Sequence, residues 1–134
     1  AALAQIRRLL SPDGTVLIRM PVVSEAWKTY GADWVQLDPP RHLFLFTEKG
    51  FSDLAREKGF LVERVIFDST AMQFWGSEQY KLDIPLNDPR SHDHSREGTV
   101  FEDAQIDNWE RQASQLNAQG EGDQACFYLR KANT

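Results

Sequence analysis

The chain has 134 residues, with 20 acidic against 15 basic ones for a formal net charge of -5, and is 41% hydrophobic and 26% charged. That balance is ordinary for one globular domain with a modest core. It excludes a nucleic-acid binder built on a basic stripe, because Arg7, Arg8, Arg56, Lys58, Arg130 and Lys131 are scattered among acids.

Residues 1–10, AALAQIRRLL, place Leu3, Ile6, Leu9 and Leu10 at helical spacing. The helix reads as already under way at Ala1, which suggests a piece excised from a longer protein. A turn at Pro12-Asp13-Gly14 then leads into TVLIRMP, a nearly continuous apolar run that predicts a strand buried on both faces. Residues 22–46 hold a helical turn broken at Gly31. They then read as an extended stretch, VQLDPPRHL, since a residue before proline avoids the α region. Thr47 caps the next helix, Phe51, Leu54 and Ala55 form its inner stripe, and Gly59 ends it. Residues 60–69 follow as a strand.

Residues 70–85 are mixed, with Phe74, Trp75, Tyr80 and Leu82 suited to a short helix or a lid. Residues 86–100 are polar, offer little to bury, and predict a mobile loop. A helix from about Glu102 to Ala118 carries Ile106, Trp109, Ala113 and Leu116 on one stripe. The last element is a strand in which Ala125, Phe127 and Leu129 alternate with Cys126 and Tyr128. The order helix, strand, helix, strand, loop, helix, strand is α/β, with the last strand free to run antiparallel.

The lone cysteine, Cys126, allows no internal disulfide and no multi-thiolate zinc cluster; it reads as a buried small hydrophobe in a reducing, cytoplasmic setting. No apolar stretch approaches the ~20 residues that span a bilayer, and no signal peptide is visible. There is no G-x-G-x-x-G, no phosphate-binding P-loop and no G-x-S-x-G elbow. The GEGDQ stretch near residue 120 precedes a strand rather than a helix and reads as a turn. His92 and His94 are spaced to share a metal on a strand, but they lie in a loop with no third ligand at a regular spacing.

The pair Arg41-His42 carries the most chemistry. Histidine titrates near neutral pH and serves as a general base, and arginine holds a carboxylate or phosphate in two parallel bonds. Pro39 and Pro40 stiffen the loop presenting them, and Trp34, Phe44 and Phe46 are placed to form an apolar or stacking wall. The plainer alternative is that Arg41 and His42 bond loop carbonyls and anchor the segment to the helix after it.

Three stretches, LLSPDGTVLIRMP, DWVQLDPPRHLFLFT and GFSDLAREKGFLVERV, resemble in order and spacing the C-terminal half of a class I S-adenosylmethionine-dependent methyltransferase, in its small-molecule branch. The likeness covers residues 1–86, with residues 125–130 similar to that family's antiparallel seventh strand and about 70–122 a variable insertion. The resemblance implies a partial Rossmann-like sheet of strands five, six and seven, within a single domain fragment. It implies S-adenosylmethionine as cofactor, with its site in an N-terminal half that this sequence lacks, so no residue here is assigned to cofactor binding or to metal. It assigns the substrate side: His42 as general base, with Arg41, Trp34 and Asp38 in acceptor binding. The function implied is the acceptor side of an enzyme that methylates a small molecule, inactive alone. The alternative is a non-catalytic α/β binding or interaction module derived from the same fold. Without strands one to four, the first strand has a free edge, which predicts either a marginal monomer or a homodimer that buries it. Neither nucleic acid nor membrane is expected as a partner.

Overall fold

The computed structural model describes residues 2–94 and 99–132. Helix α1 (Ala2–Leu9) leads through the turn at Gly14 to strand β1 (Thr15–Pro21). Helix α2 (Glu25–Tyr30) and two 3-10 turns, Gly31–Asp33 and Val35–Leu37, follow. Then come α3 (Glu48–Glu57), β2 (Phe60–Phe67), α4 (Met72–Lys81), α5 (Asp103–Gln119) and β3 (Gln124–Lys131). The strands form one sheet in the order β1-β3-β2, with β3 antiparallel to both neighbours. β1 and β2 are therefore parallel to each other, and their carboxyl ends lie on the same side with the amino end of β3 between them. This is the partial α/β sheet expected from the sequence, with its antiparallel last strand, which lies between the other two.

Local signals explain most boundaries. The Thr47 hydroxyl accepts a bond from the Gly50 amide at 3.0 Å, which satisfies one of the amides that a helix start leaves free. Gly59 follows α3 at φ +80, and Gly120 caps α5 at φ +72; both are left-handed conformations that glycine adopts without a Cβ clash.

The core lies on one face of the sheet. Phe51 and Ala55 of α3, with Leu3, Ile6 and Leu10 from the α1 segment, pack on Val16, Ile18, Met20, Phe60, Val62, Val65, Ala125, Phe127 and Leu129. Arg7 ties α1 to the α3–β2 turn by donating from Nε to the Gly59 carbonyl at 3.1 Å. β1 is not buried on both faces as its apolar run predicts. Thr15, Leu17 and Arg19 point away from α1 and α3, and Leu17 is 50% exposed. Among the described residues no helix layer covers that side. Cys126 lies on it too, half-exposed rather than buried, with its Sγ 3.6 Å from Asp68 Oδ2.

α4 and α5 pack together near the carboxyl end of β2, through Ala71, Trp75 and Trp109. The polar segment after α4 is better anchored than its composition predicts: Ser91 is fully buried, bonded to the Gln79 amide at 3.0 Å, and Leu86 packs on the neighbouring cluster. Residues 95–98 of the predicted mobile loop lie outside the described residues.

Candidate functional site

In open α/β sheets ligands bind beyond the carboxyl ends of the parallel strands. Here that end is built from three segments: residues 22–46 after β1, residues 68–71 after β2, and residues 121–124 entering β3. They are stitched together at close range. The Val22 amide donates to the Asp123 carbonyl at 2.8 Å, the Ser24 hydroxyl donates to the Gly122 carbonyl at 2.8 Å, and the Gln124 amide donates to the Ser69 hydroxyl at 3.0 Å. The Val23 amide donates to the Phe46 carbonyl at 2.8 Å, so the far end of the 22–46 segment returns to the strand it left.

The stretch expected to be extended instead turns. Val35–Leu37 is a 3-10 turn, Asp38 is left-handed at φ 37, and Pro39-Pro40 is a cis peptide. Asp38 does avoid the right-handed α region, as a residue before proline should, but by crossing to positive φ, which aspartate tolerates better than most residues. Its carbonyl accepts from the amides of Arg41, at 2.9 Å, and His42, at 3.4 Å, which closes the loop on itself.

On this frame Arg41 Nε lies 3.1 Å from Asp38 Oδ2, with most of the Arg41 side chain in solvent. His42 is half-buried, and its Nδ1 donates to the Gln36 carbonyl at 2.9 Å. A carbonyl oxygen only accepts, so the hydrogen sits on Nδ1, and in the neutral ring the free lone pair sits on Nε2. The plainer expectation, that both side chains bond loop carbonyls, is met by His42, whereas Arg41 pairs with the Asp38 carboxylate; the His42 bond leaves its other nitrogen free to take a proton. Tyr80 of α4 stands close enough to feel both charges. Burial raises its hydroxyl above the ordinary value, Asp38 adds to that rise, and Arg41 opposes it. Tyr80 also lines a cleft of about 380 Å³ with Asp83, Ile84 and Pro85.

Trp34 does not form a wall of this site. Its side chain is 0% exposed, and its indole Nε1 donates to Asp123 Oδ2 at 2.9 Å, beneath the loop rather than on its surface. Phe44 and Phe46 line a groove of about 740 Å³ with Leu3, Phe51 and Leu54, on the α1–α3 side and not against Arg41 or His42. The structure thus brings Asp38, Arg41 and His42 together and sets Trp34 under them.

Asp123 is the site residue that sequence reasoning passes over as part of a turn. It is 1% exposed, and burial pushes its carboxyl above the ordinary range, while its bonds from Trp34 and Ser69 pull the other way. Its only local signal was a carboxylate flanked by Gly122 and a strand. His92 rests on the Trp75 ring at 5.3 Å. Among the described residues no three His, Cys, Asp or Glu side chains stand close enough to hold a metal, and no helix is long and apolar enough to cross a membrane.

Residues 1–65 match the family model described as a methyltransferase domain. No curated protein and no solved structure matches the chain.

Proposed function

We propose that this chain, whose residues 1–65 match the methyltransferase-domain family model, forms the acceptor side of an S-adenosylmethionine-dependent methyltransferase acting on a small molecule, and that it is inactive alone. The supporting observation is the His42 ring: fixed through Nδ1 on the Gln36 carbonyl, half-buried, and held beyond the carboxyl end of the parallel strands.

The residues present do not fit the methyl donor. A donor cradle needs glycines directly after a strand, so that backbone amides approach the ligand. Here β1 is followed by Val22-Val23-Ser24 and β2 by Asp68-Ser69-Thr70. No step through the donor is assigned to these residues. Their part is the acceptor. His42 Nε2 takes the proton that an acceptor hydroxyl or amine must lose as it becomes a nucleophile. Arg41 holds an anionic group of the acceptor, and Asp38 aims the guanidinium.

The test is His42→Ala in the full-length protein, assayed with a labelled methyl donor. A loss of about 100-fold or more in methyl transfer is expected if His42 is the base. An unchanged rate overturns this assignment. Arg41→Ala should act differently, raising KM several-fold with a smaller change in kcat, because a grip on a non-reacting part of the substrate acts equally in ground and transition states.

A further inference from the structure

We propose that Asp123 is a positioning residue that sets the orientation of the His42 imidazole, acting through Trp34 and the turn at Val35–Leu37. The inference deepens the acceptor-side reading above and rests on it for its consequence in catalysis.

The chain of contacts is continuous. Asp123 is pinned by its backbone, since its carbonyl takes the Val22 amide and the preceding Gly122 carbonyl takes the Ser24 hydroxyl. Its carboxylate meets the Trp34 indole Nε1 at 2.9 Å across 89 positions of sequence. Both side chains are sealed from solvent, so neither group has water as an alternative partner. Trp34 in turn opens the turn: its carbonyl accepts from the Leu37 amide at 3.1 Å, and the next amide, on Val35, donates to the Ser77 hydroxyl of α4 at 3.0 Å. Anchored at its start and closed on itself by the Leu37–Trp34 bond, the turn fixes the carbonyl of Gln36, and that carbonyl accepts from His42 Nδ1 at 2.9 Å.

Removing the Asp123 carboxylate leaves a buried indole N–H with no acceptor. The indole must then move toward a new one, and the turn carrying the Gln36 carbonyl moves with it. His42 loses the bond that keeps its hydrogen on Nδ1. A carboxylate that merely stabilised the fold would change the unfolding free energy and leave the histidine tautomer alone.

Nitrogen NMR on the full chain with labelled histidine reads the tautomer directly. The unaltered protein should show His42 with its hydrogen on Nδ1. Asp123→Ala should shift it toward the tautomer mixture of an unheld imidazole, and Asp123→Asn, whose side-chain oxygen can still accept from Trp34, should restore the original state. A folded Asp123→Ala protein whose His42 keeps its hydrogen on Nδ1 overturns the proposal. If Asp123→Ala does not fold, Trp34→Phe decides in the same way, since it keeps an aromatic ring in the core and removes the N–H together with the rest of the five-membered ring.

In the full-length protein Asp123→Ala should lower kcat about tenfold or more with KM nearly unchanged, as expected of a misaimed catalytic group, and Asp123→Asn should recover it. A tautomer that responds while His42→Ala retains full methyl transfer sinks the acceptor-side reading and leaves the positioning intact. A tautomer that does not respond sinks the positioning alone.

Discussion

At the scale of single residues, Gly122 and Asp123 carry more of the site than any motif in the chain. A Cβ on Gly122 would lie 2.3 Å from Asn117 Oδ1 and 2.6 Å from the Ser69 hydroxyl. Asn117 Oδ1 belongs to a clamp in which the Asn117 side chain accepts from the Ser69 amide at 3.0 Å and donates to its carbonyl at 2.9 Å, and the Ser69 hydroxyl accepts from the Gln124 amide at 3.0 Å. Gly122→Ala must open that clamp, and it should cost about 1–3 kcal/mol in urea unfolding. Asp123 links the same corner to pH. Burial raises its folded-state carboxyl above the unfolded value, so the folded chain holds this proton more tightly. The stabilisation is complete below the ordinary carboxylate range, and it is lost as pH rises through the raised value. Asp123→Asn does not titrate. Unfolding series between about pH 4 and pH 7 should therefore show the Asn protein gaining on the unaltered one as pH rises. Parallel curves would mean that Asp123 titrates alike in both states.

At the scale of elements, the 22–46 segment is held from below by β3 and from the side by α4. The α4 contact is a close one: a Cβ on Gly76 would lie 2.7 Å from Val35 Cγ2 and 3.1 Å from its Cβ. Alanine at Gly76 gains about 1 kcal/mol of helix propensity, yet it pushes against a β-branched side chain that has few rotamers to retreat into. Gly76→Ala should therefore destabilise the chain, and in a Val35→Ala background the same change should turn neutral or favourable; a double-mutant cycle measures that reversal. The elements differ in how legible they were. α3, α5 and β3 could be read because caps, stripes and alternation are short-range patterns: Thr47, the Trp109–Ala113 face and the Ala125, Phe127, Leu129 row all sit where the sequence placed them. The turn at Val35–Leu37 could not, because it depends on Ser77 and Asp123, 42 and 89 positions away from their partners. For the same reason Trp34 read as a surface aromatic. The carboxylates near it in sequence, Asp33 and Asp38, are not the one that makes burial of its indole N–H tolerable; that one, Asp123, lies 89 positions away.

At the scale of the whole molecule, the sheet is finished on one face and along one interior line, and unfinished elsewhere. On the side away from α1 and α3, Leu17, Leu61 and Ile66 remain partly exposed, among the pairs Arg19–Asp68 and Arg130–Glu63 and the Arg64 guanidinium stacked on Tyr128. Along β1, the edge away from β3 has no strand beside it among the described residues; only Phe46 approaches the chain just past the strand's end, opposite Val22. A row of free amides and carbonyls flanked by apolar side chains is a template for a second strand. The expectation is that this chain self-associates through β1 in dilute solution. Leu17→Lys is the discriminating change. Leu17 is half-exposed, so a lysine there can keep its ammonium in water and should alter monomer stability by less than about 1 kcal/mol. In a paired edge, each lysine would bring a charge against the apolar side chains of the partner's β1 and oppose the contact. Sedimentation over a dilution series should show association for the unaltered chain and a monomer for Leu17→Lys. A dilution-resistant monomer in the unaltered chain would mean that edge pairing is too weak to offset the entropy of association, and that three strands with helices on one face are sufficient by themselves.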